Sequence, residues 1–235
     1  MRRFAADGYA ITIADRLFEN AQSLARDLAN SGFSAFPECV DITNPDDMKK
    51  LAESVRARTG EYGVHAAVNS VGIFDERRTT LKTSLDSFKR LLDVNVLGAF
   101  VFSQSIEPLL APNASLVHIG SVNGSQAGAE LGCYKVSKAA LHMLARCLAL
   151  ELARDPRRIR VNIVAPGWVD TPGERIVLQK ANGIHPLDDP RTADWIPMGR
   201  RIQPREIADT VAFLCSEGAS AVTGQILFVD CGSIT

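Results

Sequence analysis

Short apolar runs alternate along the chain with longer stretches whose apolar residues recur at helical spacing. Tyr9-Ala-Ile-Thr-Ile-Ala14, Ala35 to Val40, Val64 to Asn69, Ser115-Leu-Val-His-Ile-Gly120, Ile159 to Val164 and Gln225 to Asp230 have the near-continuous hydrophobicity of strands buried on both faces. Helical segments lie between them. Leu17, Leu24 and Leu28 mark a helix from Leu17 to Asn30 that stops at Gly32, and Thr43 or Asn44 caps a second with Pro45 at its first position and an end near Gly60. Leu85 to Leu110 reads as one long helix, Tyr134 lies on another that runs to about Arg154, and Pro204 to Ser216 forms the last. Repeated alternation of strand and helix predicts a parallel sheet covered by helices on both faces, a doubly wound α/β fold. The 235 residues contain no repeat and no linker, so a single domain over 1–235 is expected.

Composition narrows the partners. Hydrophobic residues make up 46% and charged residues 23%, enough to bury a sizeable core. The net charge of -1, without a Lys/Arg block, argues against nucleic acid or an anionic membrane and for a small-molecule partner. Five scattered cysteines form no Cys-x-x-Cys pair and, being odd in number, no complete disulfide framework, which points to a reducing cytoplasm. Cys133 reads as a small packed residue. The four histidines, His65, His118, His142 and His185, lack metal-ligand spacing, so no metal is expected. Asp7 follows Arg2-Arg3 too soon for a twin-arginine signal, and no run reaches the roughly 18 apolar residues of a membrane span.

Tyr134, Lys138 and Ser121 carry the candidate chemistry. The offset from Tyr134 to Lys138 puts phenol and ammonium on one helix face a turn apart, where a cation favours the ionised phenol. Acid-base work near neutrality needs the phenol shifted by roughly 2 to 3 units from about 10, or about 3 to 4 kcal/mol. Ser121 ends an apolar run and is expected at the carboxyl edge of the sheet, where open α/β folds bind ligands.

Gly120-Ser121, Tyr134-Lys135-Val136-Ser137-Lys138-Ala139-Ala140, Arg160-Val161-Asn162 and Ala165-Pro166-Gly167-Trp168-Val169-Asp170-Thr171 follow one another in order. With these motifs the chain resembles the classical branch of the short-chain dehydrogenase/reductase family, from about Gly8 to about Gly232. The resemblance implies a Rossmann-like fold and hydride transfer between nicotinamide and a carbinol or carbonyl carbon. In it Tyr134 transfers the proton, Ser121 orients the substrate oxygen, and Lys138 lowers the tyrosine pKa and holds the nicotinamide ribose. Asn95, in Asp93-Val-Asn95-Val, matches the family's helix asparagine, which positions a water in a proton relay to Lys138.

The cofactor residues follow from the same resemblance. Asp15 at the tip of the second strand would bond the adenosine ribose hydroxyls and repel a 2'-phosphate, which favours NAD and makes NADP the less favoured cofactor, although Arg16 beside it can accept a phosphate. Asp41-Ile42 resembles the adenine-contacting pair. Asn69-Ser70-Val71-Gly72 resembles the family's Asn-Asn-Ala-Gly turn, departing at Ser70 and Val71, with Gly72 allowing close backbone approach. Pro166, Gly167, Val169 and Thr171 belong to the turn that holds the nicotinamide carboxamide.

The first residues depart from this pattern. Met1 to Asp7 reads as the second half of a helix ending at Gly8, so the family's first strand, its glycine-rich turn and the helix N-terminus are expected to be missing, roughly 20 to 30 residues. Two readings follow: an NAD(P)-dependent alcohol dehydrogenase or ketoreductase, and a catalytically impaired member serving as a structural or regulatory subunit. The substrate loop is expected at about 172–203, with Arg175, Ile176, His185, Trp195 and Met198, and it names no ligand. Phe100, Val101 and Phe102, with Leu141, Met143, Leu144 and Leu148, spread apolar surface around two helices, predicting a homodimer or homotetramer.

Overall fold

The computed structural model describes residues 1–74, 77–176 and 196–234. Among the described residues six strands, β1 (Ile11–Asp15), β2 (Ala35–Cys39), β3 (Val64–Asn69), β4 (Leu110–Ile119), β5 (Arg160–Pro166) and β6 (Ile226–Val229), all pair in parallel. The order β3-β4-β5-β6 forms one sheet, with Asn69 opposite His118 and Ile163 opposite Ile226. Strands β1 and β2 form a separate pair, and among the described residues β1 makes no ladder with β3.

Residues alternate between the two faces, as a doubly covered parallel sheet requires. Leu116, Val161 and Ile163 pack with Met48, Leu51 and Val55 of α3 (Pro45–Thr59), while Val117 and Val164 pack with Val211 and Leu214 of α7 (Pro204–Cys215). The short α1 (Arg2–Ala6) links the parts: Phe4 joins the cluster around Val117, and Ala5 packs with Ile13, Ala21, Ala25 and Leu28 of β1 and α2 (Phe18–Asn30). The helix ends where expected, Gly8 having φ +89°, a conformation in which a side chain would be strained. The Asn44 side chain caps α3, accepting from the N–H groups of Asp46 and Asp47.

The expected long helix from Leu85 to Leu110 is three pieces. α4 (Leu85–Leu92) passes through a π-helical turn, Asp93–Leu97, into α5 (Gly98–Ile106), and a tight turn over Glu107–Leu109 delivers the chain to β4 at Leu110. Pro108 has no N–H for another α-helical bond, which accounts for the stop. The π turn is anchored at its exit, where a Cβ on Gly98 would lie 2.9 Å from Ile42 Cγ2. α6 (Gly132–Ala153) covers the turn after β4. No helix among the described residues is long and apolar enough to cross a membrane.

Candidate active site

The carboxyl end of β4 delivers Ser121, whose hydroxyl accepts the Asn123 N–H at 3.2 Å and so caps a tight turn over Val122–Gly124. Tyr134 lies in the first turn of α6 and Lys138 one turn later. The Lys138 ammonium is buried, donates to the Ile119 carbonyl at 3.1 Å, and lies 6.0 Å from the centroid of the Tyr134 ring. Burial lowers its pKa to about 8.

The phenol departs from expectation. Burial raises the Tyr134 pKa above the ordinary tyrosine value, the Ser121 hydroxyl beside it opposes the rise, and the Glu174 carboxylate adds to it. Desolvation outweighs the hydrogen bond from Ser121, so the surroundings favour the neutral phenol.

Asn95 occupies the π turn and is buried. Its Oδ1 accepts the Ile73 N–H at 2.8 Å, and its Nδ2 donates to the Ile73 carbonyl and to Ser137 Oγ, each at 2.9 Å. The π turn thereby ties the segment after β3 to α6. A Cβ on Gly72 would lie 3.0 Å from Lys138 Nζ and 3.4 Å from Asn95 Oδ1. Glycine keeps open the space in which Gly72, Lys138 and Asn95 converge. Asn69 Oδ1 accepts the Val71 N–H at 3.0 Å, and its amide faces His118 Nδ1 at 3.4 Å. Ser103 gives its proton to the Ala99 carbonyl, so His118 Nε2, 3.3 Å from Ser103 Oγ, carries the ring proton and leaves Nδ1 to accept from Asn69.

A second group of residues lies where β1 and β2 end. Asp15 closes β1, and its Oδ1 accepts the Leu17 N–H at 2.8 Å. Asp41 Oδ1 accepts from the backbone N–H and hydroxyl of Thr43 at 2.9 and 2.7 Å; these bonds, with help from Arg16, hold its carboxyl below the usual range. The Ile42 side chain is buried against Gly98, leaving its backbone as the part able to read a ligand.

A third group follows β5. Pro166 ends the strand and the Gly167 N–H donates to the Val229 carbonyl at 2.9 Å, so closely that a Cβ on Gly167 would meet Asp230 Cα at 2.9 Å. Val169 forms a parallel bridge with Ile202. Thr171 Oγ1 accepts the Glu174 N–H at 3.2 Å and caps the helical residues 172–176. Arg175 is held by the buried Asp170 carboxylate at 2.6 and 2.5 Å, while Ile176 and Met198 are exposed. His185 and Trp195 lie outside the described residues.

Sequence reasoning passed over His142, considering it only as a metal ligand. Its ring fills the turn after β4: a Cβ on Gly124 would lie 2.6 Å from its Cε1, and one on Gly120 would overlap its Nε2. The signal was the spacing of Tyr134, Lys138 and His142, which repeats every four residues on one face of α6.

A family model described as Enoyl-(Acyl carrier protein) reductase matches residues 1–233. The 3-oxoacyl-[acyl-carrier-protein] reductase FabG of Thermotoga maritima is 30% identical over 233 residues, 98% of this chain and 90% of its own. Cyclohexanol dehydrogenase of an Acinetobacter species is 31% identical over 229 residues, covering 96% of this chain and 85% of its own. Among solved structures, a short-chain dehydrogenase/reductase from Serratia marcescens superimposes with a TM-score of 0.88 at 27% identity over 100% of this chain and 91% of its own. A blue fluorescent protein from a metagenomic library, in complex with NADPH, gives 0.85 at 29% identity over the same shares, 100% and 91%.

Proposed function

The chain belongs to the short-chain dehydrogenase/reductase family, and from that premise we propose that it is a nicotinamide-dependent oxidoreductase acting on a small alcohol or ketone, with Tyr134 as the acid-base group. The convergence of Ser121, Tyr134 and Lys138 at the carboxyl end of β4 carries this reading. The site suits the cofactor where Gly72 leaves room beside the Lys138 ammonium, a donor for ribose hydroxyls. When bound, the nicotinamide supplies or accepts the hydride.

The protein's own groups handle the proton and the geometry. Ser121 accepts the Asn123 N–H, which directs its hydroxyl proton away from that turn and towards the substrate oxygen. Tyr134 gives its proton to a carbonyl oxygen in reduction and takes it back in oxidation. Lys138 would hold the nicotinamide ribose, and its charge would favour the ionised phenol against the burial that raises the Tyr134 pKa. Asn95 fixes Ile73 through both of its amide atoms, and a water beside it would complete a proton path to Lys138. Asp41 and the Ile42 backbone would hold the adenine, the turn from Asn69 to Gly72 would let backbone approach a cofactor ribose, and Pro166, Gly167, Val169 and Thr171 would hold the carboxamide.

Asp15 favours NAD by repelling a 2'-phosphate, and Arg16 makes NADP the competing outcome of the same measurement. We assign the protein to the cytoplasm, all five cysteines being free, and to a homo-oligomer joined through the exposed apolar residues Leu97, Phe100, Met143 and Leu150. Absorbance of the reduced nicotinamide, followed with cyclohexanol and with a 3-oxoacyl thioester at saturating NAD(P), tests the reading. No turnover on either would count against it.

A further inference from the structure

We infer that His142 is the positioning residue for Ser121, holding the serine turn by accepting the Ser121 backbone N–H on Nε2. The inference rests on the oxidoreductase reading for its kinetic consequence and on geometry for the rest. The Ser121 nitrogen lies 3.4 Å from His142 Nε2, and Ser125 Oγ lies 3.3 Å from Nδ1. A backbone N–H can only donate, so Nε2 must be the bare nitrogen and Nδ1 must carry the proton, which it donates to Ser125 Oγ. One neutral imidazole thus grips the turn at its start and at its end.

Packing makes the grip close. The ring occupies the positions that side chains at Gly120 and Gly124 would need, and a Cβ on Gly120 would also lie 2.7 Å from Ile163 Cγ2. Only glycines on both sides let the imidazole stand inside the turn. His142 is buried, and desolvation together with the Lys138 charge lowers its pKa to about 4, so the accepting nitrogen stays bare at neutral pH. Since Ser121 and Asn123 lie within this turn, the imidazole determines where the serine hydroxyl meets the phenol and the substrate oxygen. An apolar residue of equal size would fill the space but leave the Ser121 N–H buried without its acceptor.

His142→Leu and His142→Gln separate positioning from filling, since the glutamine carbonyl can replace Nε2 as acceptor. With cyclohexanol as substrate, His142→Leu should lower kcat about 10- to 100-fold with KM changed less than about threefold, and His142→Gln should recover most of the loss. In a Ser121→Ala background His142→Leu should cost nothing further in kcat. Unchanged kcat in His142→Leu, or the full loss repeated on Ser121→Ala, would overturn the inference. Nitrogen-15 NMR of the unmodified chain reads the tautomer without any turnover: a bare Nε2 and a protonated Nδ1 are expected, and a protonated Nε2 overturns the proposal. Absence of turnover in the unmodified chain would defeat the oxidoreductase reading alone, and the tautomer would still decide this one.

Discussion

The Lys138 ammonium is 6.0 Å from the centroid of the Tyr134 ring and donates instead to the Ile119 carbonyl at 3.1 Å. It is a buried charge whose pKa falls to about 8 from the ordinary 10.5. Between those two values the unfolded chain binds the extra proton, so stability rises with pH through that window, and below about 8 the desolvation cost is fully present. Replacing the charge should therefore stabilise the protein while abolishing activity. For Lys138→Met we expect a gain of about 2 kcal/mol at pH 7, the burial cost being on the order of 3 and the lost hydrogen bond about 1. Urea unfolding at pH 7 and pH 10 checks this: the gain should shrink at the higher pH, and a less stable variant at pH 7 would contradict it.

Acid should act through two imidazoles. His118 and His142 both have pKa values lowered from 6.5 to about 4, by burial first and by the Lys138 charge second. A depressed folded pKa means stability that is complete above about 6.5 and is lost as pH falls towards about 4. Asp155 and Glu206, held down to about 2 by Arg157 and Arg200, titrate in a lower window. Urea midpoints should decline between pH 6.5 and 4, and His118→Asn should flatten part of that decline. Parallel slopes for the variant and the parent would refute the assignment to His118.

Cofactor choice should turn on Asp15. Asp15→Ala, with Arg16 kept, removes a charge that repels a 2'-phosphate and should shift the ratio of kcat/KM towards NADP by about tenfold or more, equivalent to about 1.4 kcal/mol. A parent that already prefers NADP by that factor would show that Arg16 dominates the pair.

The exposed apolar residues Leu97, Phe100, Met143 and Leu150 should be covered by a second subunit. Sedimentation velocity at micromolar concentration should give a dimer or tetramer, and Phe100→Lys with Met143→Lys should yield monomer. A parent chain that sediments only as monomer would rule this out.

Residues that combine local pattern with turn chemistry were legible in the sequence. Val64 to Asn69 is the strand expected, Asn44 and Pro45 open α3, and Gly8 ends α1. What depends on tertiary contact was hidden. The π turn at Asn95 rests on Ile42 packing beneath Gly98 and on the amide bonds to Ile73, neither of which has a periodic signature. The start of β4 at Leu110 was absorbed into the apolar run of the preceding helix. The ordered motifs led us to expect Ser121, Tyr134 and Lys138 together, and the structure brings them together, but their electrostatic balance was not legible. Burial, which raises the phenol and lowers the ammonium, is set by the whole fold. His142 escaped because its partners are the backbone of Ser121 and two glycines, and no side-chain pattern announces such contacts.

The claim that Tyr134 moves the proton is tested most directly by the turnover of Tyr134→Phe at saturating cofactor, with cyclohexanol or a 3-oxoacyl thioester as substrate. Removing the hydroxyl should lower kcat about 100- to 10,000-fold while the unfolding free energy from urea titration stays within about 1 kcal/mol of the parent. A Tyr134→Phe variant that keeps half of the parent's turnover would show that another group does the acid-base work.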